Sequence, residues 1–243
     1  MKILLWAEFQ KLRRSNLILF TIFAIVFTAV FVFLAGTTTA SPEQITVGSV
    51  GWYMTMTQVW ETILVLPAVI ALLGSYMICR EEQDDTIKNL RLIPVNERKL
   101  TAAKMIVLFL FSVLAYFLLF LLTFLTEMVL HASELSVKVF FDFLNMYLLE
   151  GVGVFFAVSP IIAIVPYLKK NYWLAFVAAE IYSFAGLFMS MSNTLRSFYP
   201  ITAIFGISGY YETTAQEKLC SFLVLLLCGT LALVFLQKLN RRL

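Results

Sequence analysis

Charge is what this sequence has least of. Only 14% of its 243 residues are Asp, Glu, Lys or Arg, against 61% hydrophobic residues and a mean hydropathy of +0.89. Soluble domains carry about a quarter charged residues, so this chain has too little polar surface to cover a globule in water. Lipid must be its main solvent. Histidine occurs once and cysteine three times. With one histidine outside the apolar runs, no catalytic set and no metal-ligand spacing is visible. Cys220 and Cys228, eight residues apart on one helix, would stand about 12 Å apart, beyond disulfide reach. They and Cys79 read as small apolar packing residues. There is no G-x-x-x-x-G-K-[ST] phosphate loop, and no basic patch interleaved with aromatics that would suit nucleic acid. Polar–apolar alternation is also missing, which excludes a transmembrane barrel. What remains is an all-α, polytopic integral membrane protein.

Six runs are long and apolar enough to cross a bilayer: 17–35, 57–79, 105–126, 143–167, 172–192 and 219–236. Residues 1–16 are amphipathic, with Leu5, Trp6, Phe9 and Leu12 at helical spacing and Lys2, Glu8, Lys11, Arg13 and Arg14 around them. Such a helix lies in the membrane interface. The run after it is longer than a signal-peptide core, so it reads as a retained first span. Trp52 and Tyr53 suit interfacial anchors. The fourth run is interrupted by Glu150, Gly151, Gly153, Pro160 and Pro166; the two glycines either admit a neighbouring helix or bend the span. Residues 193–218 are apolar in the middle but broken by Pro200, Gly206 and Gly209, which predicts a re-entrant or interfacial segment. Residues 127–142 read as a short polar loop, in which His131, Glu127 and Glu134 are solvated side chains rather than a weak metal site.

The basic residues choose the orientation. Residues 1–16, 80–104, 168–171 and the tail hold 15 of the 18 Lys and Arg, leaving Lys138, Arg196 and Lys218 for the opposite loops. By the positive-inside rule both termini are cytoplasmic. One domain, 1–243, accounts for the whole chain.

The longest charged interval is Arg80–Lys104, with six basic and five acidic residues between two spans. Asp84 or Asp85 can cap a helix beginning near Thr86, Ile87 and Leu90 share a face, and Pro94 stops the helix. Asn96 then caps the third span. A solvated loop needs no Ile87, Leu90, Leu92 and Ile93 among its charges, so the interval reads as a docking element.

This interval resembles the first cytoplasmic loop of ABC-2 type transporter permeases. It matches that loop at Arg80, Glu81, Thr86, Ile87, Lys88, Asn89, Leu90, Pro94, Arg98 and Lys104, and departs from it at Glu82 and Asp85. The opening Ala7, Glu8, Phe9 and Lys11 also looks like the start of these permeases, whose interfacial elbow helix precedes the first span. The resemblance implies that 80–104 is a coupling helix seated on an ATPase, with Glu81, Asp85, Thr86, Ile87, Leu90, Pro94 and Arg98 making the junction. It implies a bacterial plasma-membrane exporter with two permease chains, identical or paralogous, and two ABC ATPase chains. ATP and Mg would bind to the ATPase; the permease itself would be no enzyme and hold no cofactor. The short chain with aromatic outer segments is most similar to permeases of lantibiotic or bacteriocin immunity and bacitracin resistance, which implies an amphipathic peptide substrate. Other ABC-2 exporters move lipids, drugs or polysaccharides, and a non-transporting sensor or scaffold is the reading from another class.

Three carboxylates sit in apolar runs, where a charge is costly. Glu61 reads as a packing carboxyl near the outer interface. Glu150 and Glu180 either line a substrate path or tie one helix to another; both readings stay open here.

Overall fold

A computed structural model describes residues 1–38, 49–83, 97–132, 134–167, 172–192 and 194–242. Asp85, Thr86, Ile87, Leu90 and Pro94 lie outside these residues. The described residues are helical, with no strand among them.

The short amphipathic helix α1 (Lys2–Arg13) turns at Arg14 and Ser15 into α2 (Asn16–Thr38), the first span. The second span is built from α3 (Trp52–Trp60), a π-helical turn (Glu61–Val65) and α4 (Leu66–Gln83). The widened turn ends at Val65, two residues before Pro67. Proline cannot donate to the carbonyl four residues back and its ring crowds it, so a local π turn relieves the clash. The third span, α5 (Glu97–Leu130), has 34 residues. It is followed by α6 (Val137–Ile164) with a 3-10 turn at Val165–Tyr167, and by α7 (Trp173–Ser190). Two short helices, α8 (Leu195–Phe198) and α9 (Pro200–Ser208), precede α10 (Ala215–Arg242).

Six of these units are long and apolar enough to cross a membrane, in agreement with the six expected runs. Except for the fifth span (Trp173–Ser190, expected over 172–192), they reach further than expected at one end or both. The helix of the third span continues to Leu130, so the polar loop expected over 127–142 is shorter and Glu127 is helical. The second span starts at Trp52, and Tyr53 is buried rather than interfacial, donating its hydroxyl to the Ala29 carbonyl at 3.1 Å.

The second and fourth spans form the centre of the bundle, while the first, fifth and sixth keep most of their surface uncovered. On α2 the uncovered residues include Leu19, Phe20, Phe23, Phe27 and Phe31. Such a sheath is stable only against lipid or another apolar surface.

The nine residues of α9 rise about 14 Å, too little to cross a bilayer. Pro200 starts this helix where its missing N–H costs nothing. Gly209 ends it at φ 92°, a left-handed conformation that suits glycine. Between these caps Ile201, Ala203, Ile204 and Phe205 are fully buried against α6, α7 and α10. The segment expected to be too broken to span is thus a short helix inserted into the bundle.

The glycines of α6 make the insertion possible. A Cβ on Gly151 would come within 3.1 Å of the Val113 Cα on α5, and one on Gly153 within 2.9 Å of Ile204 on α9. Both therefore admit neighbouring helices, and α6 runs on as one helix. Pro160 lies inside it and leaves the Phe156 carbonyl without its backbone donor; the Ser159 hydroxyl donates to that oxygen at 2.8 Å instead. Gly153→Ala is expected to overpack the junction with α9 and cost about 1–3 kcal/mol. Thermal unfolding in detergent reads this loss, and Ile204→Ala should restore part of it.

Candidate functional site

Two polar constellations stand out in a chain that has few. The first joins α1, the end of α4 and the start of α5, at the end of the bundle where the charged interval begins and ends. Lys11 Nζ lies 2.7 Å from Glu8 Oε1 and 2.7 Å from Glu81 Oε1. The other oxygen of Glu81 accepts from Lys104 Nζ, also at 2.7 Å. Glu8 and Lys11 share a face of α1 at i, i+3, and Glu81 and Lys104 stand at the two edges of the interval. Lys104 is only 5% exposed and Glu81 8%, so each needs the other's charge. Desolvation works against the charge of Lys11, but the hydrogen bonds and charges of Glu8 and Glu81 outweigh it and raise its pKa above the usual lysine value. Of the expected junction residues, Glu81 is the centre of this clamp and Arg98 lies exposed in the first turn of α5. Asp85, Thr86, Ile87, Leu90 and Pro94 fall between them, outside the described residues.

The second constellation is buried among the spans around Glu150, which is fully enclosed. Its Oε1 accepts from the Gln58 amide and from the Ser208 hydroxyl at 3.1 Å. Its Oε2 accepts from Thr62 at 2.8 Å, and the Tyr116 hydroxyl lies 2.8 Å from Thr62. Since Thr62 donates to the carboxylate, Tyr116 donates to Thr62, giving a relay Tyr116–Thr62–Glu150 in which each bond polarises the next. One turn away, Tyr147 donates to the Met54 carbonyl at 2.8 Å and lies 3.1 Å from Thr123. The carboxylate therefore fastens three spans and the inserted helix α9 at one point. Gln58 and Thr62 reach it because they lie four apart in the second span, on one face.

Glu180 is not part of this network. It is half-buried on α7, with Oε2 enclosed and without a hydrogen-bond partner among the described residues. Glu61, expected near an interface, is instead fully buried in the π turn, and neither of its carboxyl oxygens has a partner among the described residues. At the end of the bundle opposite the clamp, Glu127 is fully buried and accepts from the Gly51 N–H at 2.7 Å, with His131 Nδ1 at 3.0 Å. Gly51 is the N-cap of α3 with φ 78°. Two of the three residues read as solvated, Glu127 and His131, thus form a cap that ties the second span to the third, while Glu134 is exposed. No group of three or more His, Cys, Asp or Glu side chains suited to a metal occurs among the described residues.

Sequence reasoning missed Gln58, Thr62, Tyr116 and Ser208 as companions of Glu150, and Lys11 as companion of Glu81. Polar residues at i and i+4 in an otherwise apolar run were the signal available for Gln58 and Thr62. Nothing in the sequence pairs Glu150 with Ser208, 58 positions away.

Six apolar helices around a buried polar node, clamped by ion pairs at one end, define a polytopic membrane protein whose polar groups tie its helices together. The description "ABC-2 family transporter protein" matches residues 4–186. The chain belongs to this family and is a permease subunit of an ABC transporter. Family membership implies a membrane setting and an ABC ATPase partner. The chain is also similar to the bacitracin transport permease protein BCRB of Bacillus licheniformis, at 27% identity over 152 residues, covering 63% of this chain and 72% of the relative.

Proposed function

We propose that this permease subunit expels an amphipathic peptide antibiotic, of the lantibiotic, bacteriocin or bacitracin kind, using ATP hydrolysed on a separate ATPase. The similarity to a bacitracin transport permease supports the cargo class. The observation that carries the coupling reading is the clamp on Glu81. It fixes the end of α4 and the start of α5 to α1, so a push on the interval between them moves two spans and the amphipathic helix together.

In this reading the clamp, both termini and 80–104 face the cytoplasm, and Glu81, Asp85, Thr86, Ile87, Leu90, Pro94 and Arg98 meet the ATPase. Two ATPase chains hold ATP and Mg and act on two permease chains, identical or paralogous. Closure of the ATPases is carried by the long rigid helices to the outer end of the bundle. There α9 and the loop after it form the part that opens. Glu150 sets the position of α9 and so shapes the substrate path, and Glu180 offers its unpartnered oxygen to a cationic residue of the peptide.

The test is co-purification of the gently solubilised protein from its native host, with mass spectrometry and an ATPase assay. A soluble ABC ATPase is expected in the complex, and Ile87→Asp or Leu90→Asp should lower its recovery by about tenfold or more. Recovery of the chain alone, without ATPase activity, would overturn the coupling reading in favour of a sensor or scaffold. The cargo is tested separately, by whether expression in a sensitive host raises the inhibitory concentration of a lantibiotic or bacitracin.

A further inference from the structure

Beside α1 a groove opens toward the lipid-facing surface, between α1, α2 and α5. Phe9, Ile18, Ile22, Leu114 and Leu118 give it apolar walls, and it encloses about 290 Å³. Its lining includes two polar side chains, Thr21 and Arg13. The Thr21 hydroxyl is used, donating to the Leu17 carbonyl at 2.8 Å. Arg13 lies exposed in the last turn of α1 and makes no ion pair with a described residue. The carboxylates of this corner are committed elsewhere, Glu8 to Lys11 and Glu81 to Lys11 and Lys104. Arg14 lines a second, polar recess on the opposite flank of α1 and adds to the positive field. The groove is therefore an apolar slot with one cationic mouth.

We propose that this groove seats an acyl chain of an anionic phospholipid, with the lipid phosphate paired to Arg13. The wall along α2 from Ile18 to Ile25 runs about 10 Å into the membrane layer, which suits a tail and not a small solute. A free phosphate could pair with Arg13 but would leave the slot empty. A cationic peptide is repelled by Arg13 and Arg14. Held there, the lipid fills the angle between the amphipathic helix and two spans. The clamp on Lys11 and Glu81 closes the other side of the same helix.

The test uses the full chain in nanodiscs with one tryptophan reporter in the slot, Phe9→Trp, after Trp6, Trp52, Trp60 and Trp173 are changed to Phe. Quenching is followed as brominated phosphatidylglycerol or brominated phosphatidylcholine replaces the unbrominated lipid. One cation near the surface gives an expected preference of about fivefold for phosphatidylglycerol in the half-quenching mole fraction. Arg13→Gln should abolish the preference and Arg13→Lys should keep it, while Ile22→Trp in the chain that keeps Phe9 should plug the slot and lower the amount of lipid retained in native mass spectrometry. Equal half-points for both lipids, or a preference that survives Arg13→Gln, would overturn the proposal. Relief of quenching by dissolved glycerol phosphate would show a free-phosphate site instead. Relief as the protein-to-lipid ratio rises would show a second copy of the chain in the groove.

Discussion

Glu81→Ala is expected to be among the most damaging single changes outside the apolar core. It leaves Lys104 buried with no counter-charge, and breaking one half of a buried pair typically costs about 3–5 kcal/mol. For a chain of this size that is on the order of 10 °C in thermal unfolding. The clamp has a second buried member. Lys11 is itself 41% exposed at its side chain, but its partner Glu8 is only 3% exposed, so Lys11→Met also strands a buried charge and should cost about 3–5 kcal/mol. The double change Glu81→Met with Lys104→Met should recover most of the loss, because a well-packed apolar pair can replace a buried ionic one. The same variants separate stability from coupling. The double variant should be folded, yet recover less ATPase in co-purification, since the ends of α4 and α5 would no longer be tied to α1. A double variant that is both stable and fully associated would reduce the clamp to a stabilising feature only.

The reason this clamp was not legible in the sequence is distance along the chain. Glu81 could be read as part of the charged interval, but Lys11 is 70 positions away, on a helix whose own pattern speaks only of a membrane surface. The spans were legible for the opposite reason. A run of about 20 apolar residues has few alternatives to crossing the bilayer, so length and composition suffice. Their ends were less so, because a helix continues as long as its polar side chains find partners. Glu127 looked like the start of a loop, yet its Oε1 is held by the Gly51 N–H and His131 and the helix carries on beneath it. The glycines of the fourth span show the same limit. Gly151 and Gly153 signalled either a close approach or a bend, and only the positions of Val113 and Ile204 decide for approach. The insertion of α9 was half legible: Pro200, Gly206 and Gly209 excluded a span, but not a helix packed within the bundle.

Glu150→Leu and Glu150→Gln are expected to part company, and the difference between them tests what the carboxylate does. Leucine fills the space but accepts no hydrogen bond. Thr62 then has only the Tyr116 hydroxyl it already bonds, so one proton of that pair is left over, while Ser208 keeps the Phe205 carbonyl at 3.4 Å. The Gln58 amide loses the Glu150 oxygen it donates to, and its Oε1 is already buried without a partner among the described residues. One orphaned amide, one orphaned hydroxyl proton and one weakened hydroxyl should cost about 2–4 kcal/mol. Glutamine behaves differently because the network can be rewired around it. Its carbonyl oxygen can take the place of Oε1 and accept from Gln58 and Ser208, while its amide donates to Thr62, whose hydroxyl reverses toward Tyr116 and leaves the Tyr116 proton to find another acceptor. That variant should cost about 1–2 kcal/mol, less than leucine. Thermal unfolding of the two proteins in detergent gives the comparison directly. If Glu150 acts by holding α9, the glutamine variant should also keep its protection of a sensitive host, and the leucine variant should lose it in step with its stability. A glutamine variant that is as stable as the original but gives no protection would assign the charge itself, rather than the hydrogen bonds, to the substrate path.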